Sequence, residues 1–186
     1  MKLMATRNVG RRSRIKGSSF ELRVSRILSA WWAEDESMLR ARAVDLPLRR
    51  APGSGGWDVR RGAGSDLLVM TPDFCFPFGV ECKNTESWSF DGLFKGNGGA
   101  SLLRYWEQCE TATRLSSLCP LLVFTRNTYP VYALMPRQWA EFFDFDWTIH
   151  YRPLDVVVGF LDGLTTGKVP SKAAVQAEWS AIRVAT

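Results

Sequence analysis

The stretch that most constrains the fold is residues 64–84, GSDLLVMTPDFCFPFGVECKN. An apolar run follows Asp66, a Pro-Asp pair marks a turn, and a second apolar run leads into Glu81. Two such runs around a turn signal are typical of a β-hairpin. Because side chains alternate along a strand, Glu81 and Lys83 share one face while Cys82 lies on the other. The sequence therefore predicts a hairpin with Asp66, Glu81 and Lys83 grouped at one edge.

This grouping of two acids and one ammonium suits the hydrolysis of a phosphodiester. Asp66 and Glu81 offer hard oxygen ligands of the kind that Mg²⁺ or Mn²⁺ prefers. Such a cation polarises a phosphodiester and lowers the pKa of a bound water. Lys83 can orient that water or stabilise the charge that develops in the transition state. The alternative is a sheet edge with one Glu-Lys pair, which would contribute less than about 1 kcal/mol to stability.

Composition narrows the chemistry further. A length of 186 residues with 46% hydrophobic residues predicts one domain, or one domain with an extension. The net charge of +5 favours a polyanionic partner. The single histidine, His150, nearly excludes nucleases and triads that depend on histidine, which leaves a metal-and-carboxylate mechanism. The four cysteines form no C-x-x-C pair, so we expect reduced thiols rather than a zinc site.

The sequence shows no signal for a membrane or for secretion. No apolar run approaches the roughly 20 residues that a transmembrane helix needs. The basic N-terminus is not followed by the apolar segment of a signal peptide. We therefore expect a cytoplasmic protein with no membrane partner. We also expect no small-molecule cofactor beyond the metal.

Residues 1–17 form a basic arm without a single acid, with charges at Lys2, Arg7, Arg11, Arg12, Arg14 and Lys16. This composition predicts a flexible, solvated arm. The arm can also contact phosphates when nucleic acid is present, and the two interpretations are compatible. A helix is predicted to begin at Ser18 or Ser19 and to run to about Glu34. Its apolar residues follow helical spacing and are expected to form a buried stripe of Phe20, Val24, Ile27, Leu28 and Trp31.

The glycine-rich loop of residues 51–57, APGSGGW, is either a connector or a backbone cradle for phosphate. Asp58 follows it and competes with Asp66 as a metal ligand. We prefer Asp66 because it begins an apolar strand. Arg60 and Arg61 come next and are candidate DNA contacts.

The remaining segments alternate between helix and strand signals. The loop of residues 84–100 is rich in glycine and aromatic residues, which either close over the core or stack on bases. A helix is predicted from Ser101 to about Ser117, and its inner face is expected to carry Leu102, Leu103, Trp106, Cys109 and Thr113. Strands are predicted over residues 120–125 and 131–134, and a helix after Pro136. Helices on both faces of a mixed sheet fit this order.

Taken together, these motifs resemble the PD-(D/E)XK nuclease superfamily and, within it, the Holliday junction resolvases of archaea and their phage relatives. The resemblance covers roughly residues 16–135. It rests on KGSSFE at residues 16–21, APGSGG at residues 51–56, Asp66, Glu81-Cys82-Lys83, and a helix with Glu107-Gln108. It implies an α/β fold, with a restriction-endonuclease-like mixed central sheet flanked by helices.

The resemblance also implies roles for particular residues. Glu21 would face the metal site, often through water, and the Cys82 carbonyl would be a further possible ligand. Lys83 would position or deprotonate the attacking water, and Ser54 would lie near the scissile phosphate. Gln108 would help to order the site, the alternative being a surface glutamine.

The function that the resemblance implies is a Mg²⁺-dependent endodeoxyribonuclease acting on four-way DNA junctions. Cutting two opposed strands requires two sites, so we expect a homodimer with twofold symmetry. Arg11, Arg12, Arg14 and Lys16 would bind the DNA backbone. The alternatives are a related nuclease for duplex, flap or mismatched DNA, and a non-catalytic basic DNA-binding protein. The predicted organisation is an arm at 1–17, a nuclease core at 18–143, and a C-terminal extension at 144–186 that packs on the core or on a second subunit.

Overall fold

The computed structural model describes residues 3–51, 64–94, 101–114, 116 and 118–185, and for residues 3–14, 72, 94, 179 and 181–185 only the backbone. The helices are α1 Leu3–Ala33, α2 Asp91–Phe94, α3 Ser101–Arg114, α4 Arg137–Phe142, α5 Leu161–Thr165 and α6 Lys172–Ala185. The strands are β1 Leu48–Arg50, β2 Leu67–Val69, β3 Phe78–Asn84, β4 Cys119–Thr125, β5 Tyr132–Pro136, β6 Trp147–Tyr151 and β7 Val156–Phe160. No helix in these described ranges is both long and apolar enough to cross a membrane.

A mixed five-stranded sheet with the order β3-β4-β5-β7-β6 forms the centre of the fold. Strands β3 and β4 are parallel, and α3 lies between them in the chain; the other neighbours pair antiparallel. A separate two-stranded sheet joins β1 and β2. The predicted α/β fold with a mixed central sheet flanked by helices is confirmed, and this architecture is compatible with a restriction-endonuclease-like domain.

The predicted hairpin is wrong in its pairing. Strand β2 pairs antiparallel with β1, whereas β3 pairs with β4. Between the two sheets, the backbone N–H of Asp66 donates to the carbonyl of Val80 at 2.8 Å. A 3₁₀ turn at Pro72–Phe74 and a left-handed Cys75, with φ of 46°, redirect the chain before β3. A tight turn, which a β-hairpin requires, is therefore absent from the described segment between these two strands. Strand β2 instead forms its backbone hydrogen bonds with β1.

Helix α1 covers one face of the central sheet. Its buried stripe of Phe20, Val24, Leu28 and Trp31 belongs to the same core as Val80 and other side chains of β3, β4 and β5. The stripe agrees with the predicted spacing, but the helix begins at Leu3 and not at Ser18 or Ser19. The Ser18 hydroxyl donates to the carbonyl of Ile15 at 3.1 Å, so it bonds back within the helix and does not cap it.

Helix α3 covers the opposite face with Leu102, Trp106 and Cys109. Trp88, from the aromatic loop, is buried in this second core, and its indole N–H donates to the carbonyl of Thr125 at 3.0 Å. The aromatic residues of that loop were expected either to close over the core or to stack on bases. Trp88 closes over the core. Phe90 is partly buried against the same core, and the side chain of Phe94 lies outside the described residues.

Residues beyond 143 complete the central sheet. Strand β7 lies between β5 and β6, and its residues 156–158 are almost fully buried. Val175 of α6 packs into the core beneath α1. Two of the five strands of the central sheet, β6 and β7, therefore lie within the predicted C-terminal extension of residues 144–186.

Close packing of β3 against α3 leads to a first prediction. A Cβ at Gly79 would overlap Cγ2 of Thr113 and lie 2.9 Å from Oγ of Ser65. We expect Gly79→Ala to lower the free energy of unfolding by about 1–3 kcal/mol, because this contact has no room to relax. Chemical denaturation measures the change.

Gly17→Ala is the matched control, since a Cβ there would meet only Oε1 of Glu21, at 3.9 Å. Gly17 lies inside α1, so alanine should stabilise the protein by about 0.5–1 kcal/mol. Equal stability of Gly79→Ala and the wild type would contradict the packing described.

Candidate active site

The second half of β3 carries the centre of the candidate site. Cys82 points into the core under α1, and alternation turns Glu81 and Lys83 towards α3, as predicted. Glu81 is 1% exposed. Its Oε1 lies 2.5 Å from Nζ of Lys83, whose side chain is 22% exposed. The strand thus presents a buried carboxylate with a half-buried ammonium beside it.

Asp66 reaches the same strand from its outer edge. It immediately precedes β2 and is 6% exposed. Its Oδ2 accepts a hydrogen bond from the backbone N–H of Cys82 at 2.8 Å. Together with the backbone bond to Val80, this contact places the carboxylate beside the Glu-x-Lys segment without a hairpin. The predicted proximity of Asp66 to Glu81 therefore holds, although the predicted pairing of the strands does not.

Glu21 of α1 is the third buried acid, at 7% exposure. It forms an ion pair with the Nε of Arg50 on β1. The negative charge of Glu21 raises the pKa values of both Asp66 and Glu81, so the three acids interact electrostatically. Glu21 therefore belongs to one electrostatic cluster with Asp66 and Glu81, and its role at a metal ion stays a prediction.

Burial and mutual repulsion make Asp66 and Glu81 reluctant to ionise. Burial raises the pKa of Glu81 to about 7, with a further contribution from the charge of Asp66. Burial also raises the pKa of Asp66, against the opposing effect of the Cys82 N–H. Clustered carboxylates of this kind favour a bound cation, which stabilises the ionised forms.

Lys83 keeps its proton in this arrangement. Partial burial lowers its pKa, but the charge of Glu81 and the hydrogen bond to it more than compensate, so the pKa lies above its usual value. A protonated lysine donates hydrogen bonds and stabilises negative charge, and it does not remove a proton from water. Of the two roles considered for Lys83, this favours the positioning and charge-stabilising one.

The acids suit a divalent cation in their donor chemistry. The Oε2 atom of Glu81 is buried without a hydrogen-bond partner among the described residues. The same residues contain no preformed group of three or more potential metal-ligating side chains. Mg²⁺ retains several waters and needs only one or two protein carboxylates. Asp66 and Glu81 can therefore provide its protein ligands, with the orphaned oxygen of Glu81 as one donor.

Two side chains near the acids were missed as site residues from the sequence. Arg50, the last residue of β1, pairs with Glu21. Tyr105 of α3 places its ring centroid 5.3 Å from Nζ of Lys83. Tyr105 flanks the buried stripe of its helix, and that position was the only signal in the sequence. Gln108, predicted to support the site, is exposed. The neighbouring residue Cys109 faces β3 instead, with its Sγ 3.8 Å from the carbonyl oxygen of Gly79.

Several predicted residues lie outside the described part of the chain. These are Ser54, Asp58, Arg60 and Arg61, together with the side chains of Arg11, Arg12 and Arg14. Lys16 is described, and its Nζ lies 2.8 Å from Oε1 of Glu86. Glu86 follows β3 and also accepts from the backbone N–H of Asn127 at 3.1 Å. Helix α1 therefore contacts the loop that leaves the candidate site.

A Glu-x-Lys strand in a mixed α/β sheet, with an aspartate at its edge and a glutamate from the first helix, defines the PD-(D/E)XK class of nucleases. Residues 12–162 match the family model described as "Phage putative PDDEXK endonuclease", and the chain belongs to this family. The matched range includes β6 and β7. Comparisons with curated proteins and with solved structures found no significant match.

Membership makes the protein a phage-type endonuclease, and hence a hydrolase with DNA as its substrate. Nucleases of this superfamily generally use divalent metal ions, in agreement with the oxygen donors of the buried acids. The resemblance to the superfamily is thus confirmed over a longer part of the chain than the motifs alone covered.

Proposed function

We propose that this endonuclease is a metal-dependent, structure-selective enzyme that cuts four-way DNA junctions. The observation that carries the catalytic part is that three buried acids, Asp66, Glu81 and Glu21, interact electrostatically, and that Lys83 is paired with Glu81. The resemblance of residues 16–21 and 51–56 to Holliday junction resolvases supports the choice of substrate.

Each residue has a distinct role in this proposal. Asp66 and Glu81 would hold Mg²⁺, or Mn²⁺ as a substitute, with Glu21 contributing through water and the Cys82 carbonyl as a further ligand. A cation held there would supply a Lewis acid for the phosphodiester and would lower the pKa of a bound water. Lys83 keeps its proton, positions that water and stabilises charge on the phosphoryl oxygens.

The remaining predicted residues serve DNA binding. Arg11, Arg12, Arg14 and Lys16 of α1 contact phosphates, as do Arg60 and Arg61. Ser54 contacts the scissile phosphate. The protein acts as a homodimer, so that two sites cut opposed strands of one junction.

A second candidate is a nuclease for duplex, flap or mismatched DNA. The description of the matched family names an endonuclease and does not name a junction. It therefore supports the cutting of these other DNA substrates as well as it supports the cutting of junctions. A non-catalytic DNA-binding protein fits less well, because binding a polyanion does not require three buried acids next to one lysine.

Cleavage of a labelled four-way junction and of a matched linear duplex tests the proposal. We expect paired, symmetric nicks on the junction with Mg²⁺ or Mn²⁺, and none with EDTA, because the acids act through the cation. Sedimentation of the protein with the junction should show two subunits for each DNA molecule.

The same assay separates the alternatives. Equal cutting of the linear duplex would assign the second candidate. Tight junction binding without cutting under any divalent ion would assign a binding protein. A monomer on the junction would contradict the paired-cut mechanism.

A further inference from the structure

The ammonium of Lys83 lies between two partners of different chemistry. On one side it contacts the Glu81 carboxylate, with an Nζ–Oε1 distance of 2.5 Å. On the other side the aromatic ring of Tyr105 has its centroid 5.3 Å from the same nitrogen. A cation within about 6 Å of a ring centroid is attracted by the negative face of the ring.

Tyr105 is held firmly in this position. Its hydroxyl hydrogen-bonds Oγ of Ser87 at 2.8 Å, and that Oγ lies 3.0 Å from Oγ1 of Thr85. The Ser101 hydroxyl at the start of α3 donates to the carbonyl of Ser87 at 2.5 Å. The segment after β3 is therefore tied to α3 at two points, and the ring is partly buried against the α3 core.

The two partners of Lys83 differ in what happens when a divalent cation is present. Glu81 is one of the proposed metal ligands, so its oxygens then share their charge between the ion and Lys83. The Tyr105 ring is not an oxygen donor and does not join the coordination sphere. Its attraction for the ammonium consequently persists when that of Glu81 weakens.

We propose that Tyr105 is a positioning residue that holds the Lys83 ammonium at the reacting phosphate once Glu81 binds the metal ion. The inference rests on the proposed metal-dependent function, and it extends that function to a residue on α3. Tyr105 acts through Lys83 and does not itself contact the substrate.

Two substitutions separate the ring from the hydroxyl. Tyr105→Leu removes the ring, and we expect kcat for DNA cleavage to fall about tenfold with KM unchanged. Tyr105→Phe keeps the ring, so its kcat should stay within about threefold of the wild type. Tyr151→Leu, on the distant edge strand β6, is a control for tyrosine loss.

A double-mutant cycle with Lys83→Met tests whether the effect passes through the lysine. Under the proposal, Tyr105→Leu lowers single-turnover cleavage only when Lys83 is present. An equal loss in the Lys83→Met background would show a merely structural role and would overturn the inference.

NMR spectroscopy tests the contact between Tyr105 and Lys83 without requiring DNA cleavage. The ε-methylene protons of Lys83, assigned by comparison with Lys83→Arg, should show an upfield ring-current shift in NMR spectra. The shift should persist in Mg²⁺ and in Ca²⁺, remain in Tyr105→Phe and disappear in Tyr105→Leu. If the wild-type shift vanishes when metal is added, Tyr105 does not hold the lysine and the inference is wrong.

The two readouts distinguish two kinds of failure. Absence of cleavage on every DNA tested would overturn the proposed function, whereas the NMR shift would still report on Tyr105. Normal cleavage with wild-type kcat in Tyr105→Leu would overturn the inference and leave the proposed function intact.

Discussion

Replacing Lys83 by methionine is expected to reduce the rate of DNA cleavage by about 100- to 1,000-fold, the usual cost of losing one donor that stabilises transition-state charge. Methionine preserves most of the length and volume of the lysine side chain, while it removes the ammonium that lies 2.5 Å from Glu81. Single-turnover cleavage in Mg²⁺, on whichever DNA the wild type cuts, measures the change.

Binding and folding should survive this substitution. Without the neighbouring ammonium, Glu81 takes up a proton more readily, since its pKa is already raised to about 7 by burial and by the charge of Asp66. A protonated Glu81 adds no uncompensated buried charge. Far-UV circular dichroism and DNA affinity should therefore remain close to wild type.

Lys168→Met is the matched control, because Lys168 is exposed and belongs to the segment between α5 and α6. It should cleave at the wild-type rate. Full activity of Lys83→Met would exclude Lys83 from the chemistry and would leave the Glu-Lys pair as a structural feature of the sheet edge.

Replacing Asp66 by asparagine is expected to abolish cleavage and, at the same time, to stabilise the metal-free protein. Asparagine retains an oxygen that can accept from the Cys82 N–H, as Asp66 Oδ2 does at 2.8 Å. It removes the carboxyl group of Asp66, whose pKa is raised by burial and by the charge of Glu21. Each kcal/mol gained should raise the melting temperature by about 2–4 °C in a domain of this size.

The gain in stability should depend on pH in a defined direction. The native pKa of Asp66 lies above its unfolded value, so the native state binds the proton more tightly than the unfolded state does. This contribution to stability is complete at low pH and is lost as the pH rises through the native pKa. Asp66→Asn has no carboxyl group to ionise, so it does not lose this stability as the pH rises. The amount by which the variant is more stable than the wild type should therefore be larger at pH 8 than at pH 4.

Asp73→Asn provides the control, since Asp73 is an exposed acid in the 3₁₀ turn before β3. It should change neither cleavage nor the melting temperature. Thermal melts in EDTA measure the stability, and melts with added Mn²⁺ should raise the melting temperature of the wild type but not that of Asp66→Asn. A destabilised Asp66→Asn protein would contradict the electrostatic cost assigned to the acid cluster.

Local patterns in the sequence predicted much of the candidate site. The alternation of β3 placed Glu81 with Lys83 and turned Cys82 away, because the side-chain period of a strand depends only on its backbone. The apolar spacing of α1 likewise predicted the buried stripe next to Glu21. Asp66 was selected over Asp58 for its place before an apolar strand, and the structure shows Asp66 hydrogen-bonded to β3.

Errors arose where the outcome depended on competition between distant segments. The runs around Asp66 and Glu81 each had the composition of a strand, but composition does not specify the partner. Strand β1 paired with β2, and β4 paired with β3. The sequence likewise did not indicate that β6 and β7 belong to the central sheet, because β7 pairs with β5, which lies earlier in the chain, and β6 pairs with β7.

The sequence by itself therefore determined which side chains share a face of β3, which residues of α1 and α3 are buried, and which acids are available for a metal ion. Only the tertiary structure decided that Asp66 bonds to the edge of β3, that Arg50 pairs with Glu21, and that Tyr105 lies against Lys83. The periodicity of a helix or a strand is a property of its own backbone and can be read locally. The relative position of two packed elements depends on how well their surfaces fit, and this fit exists only after the chain has folded.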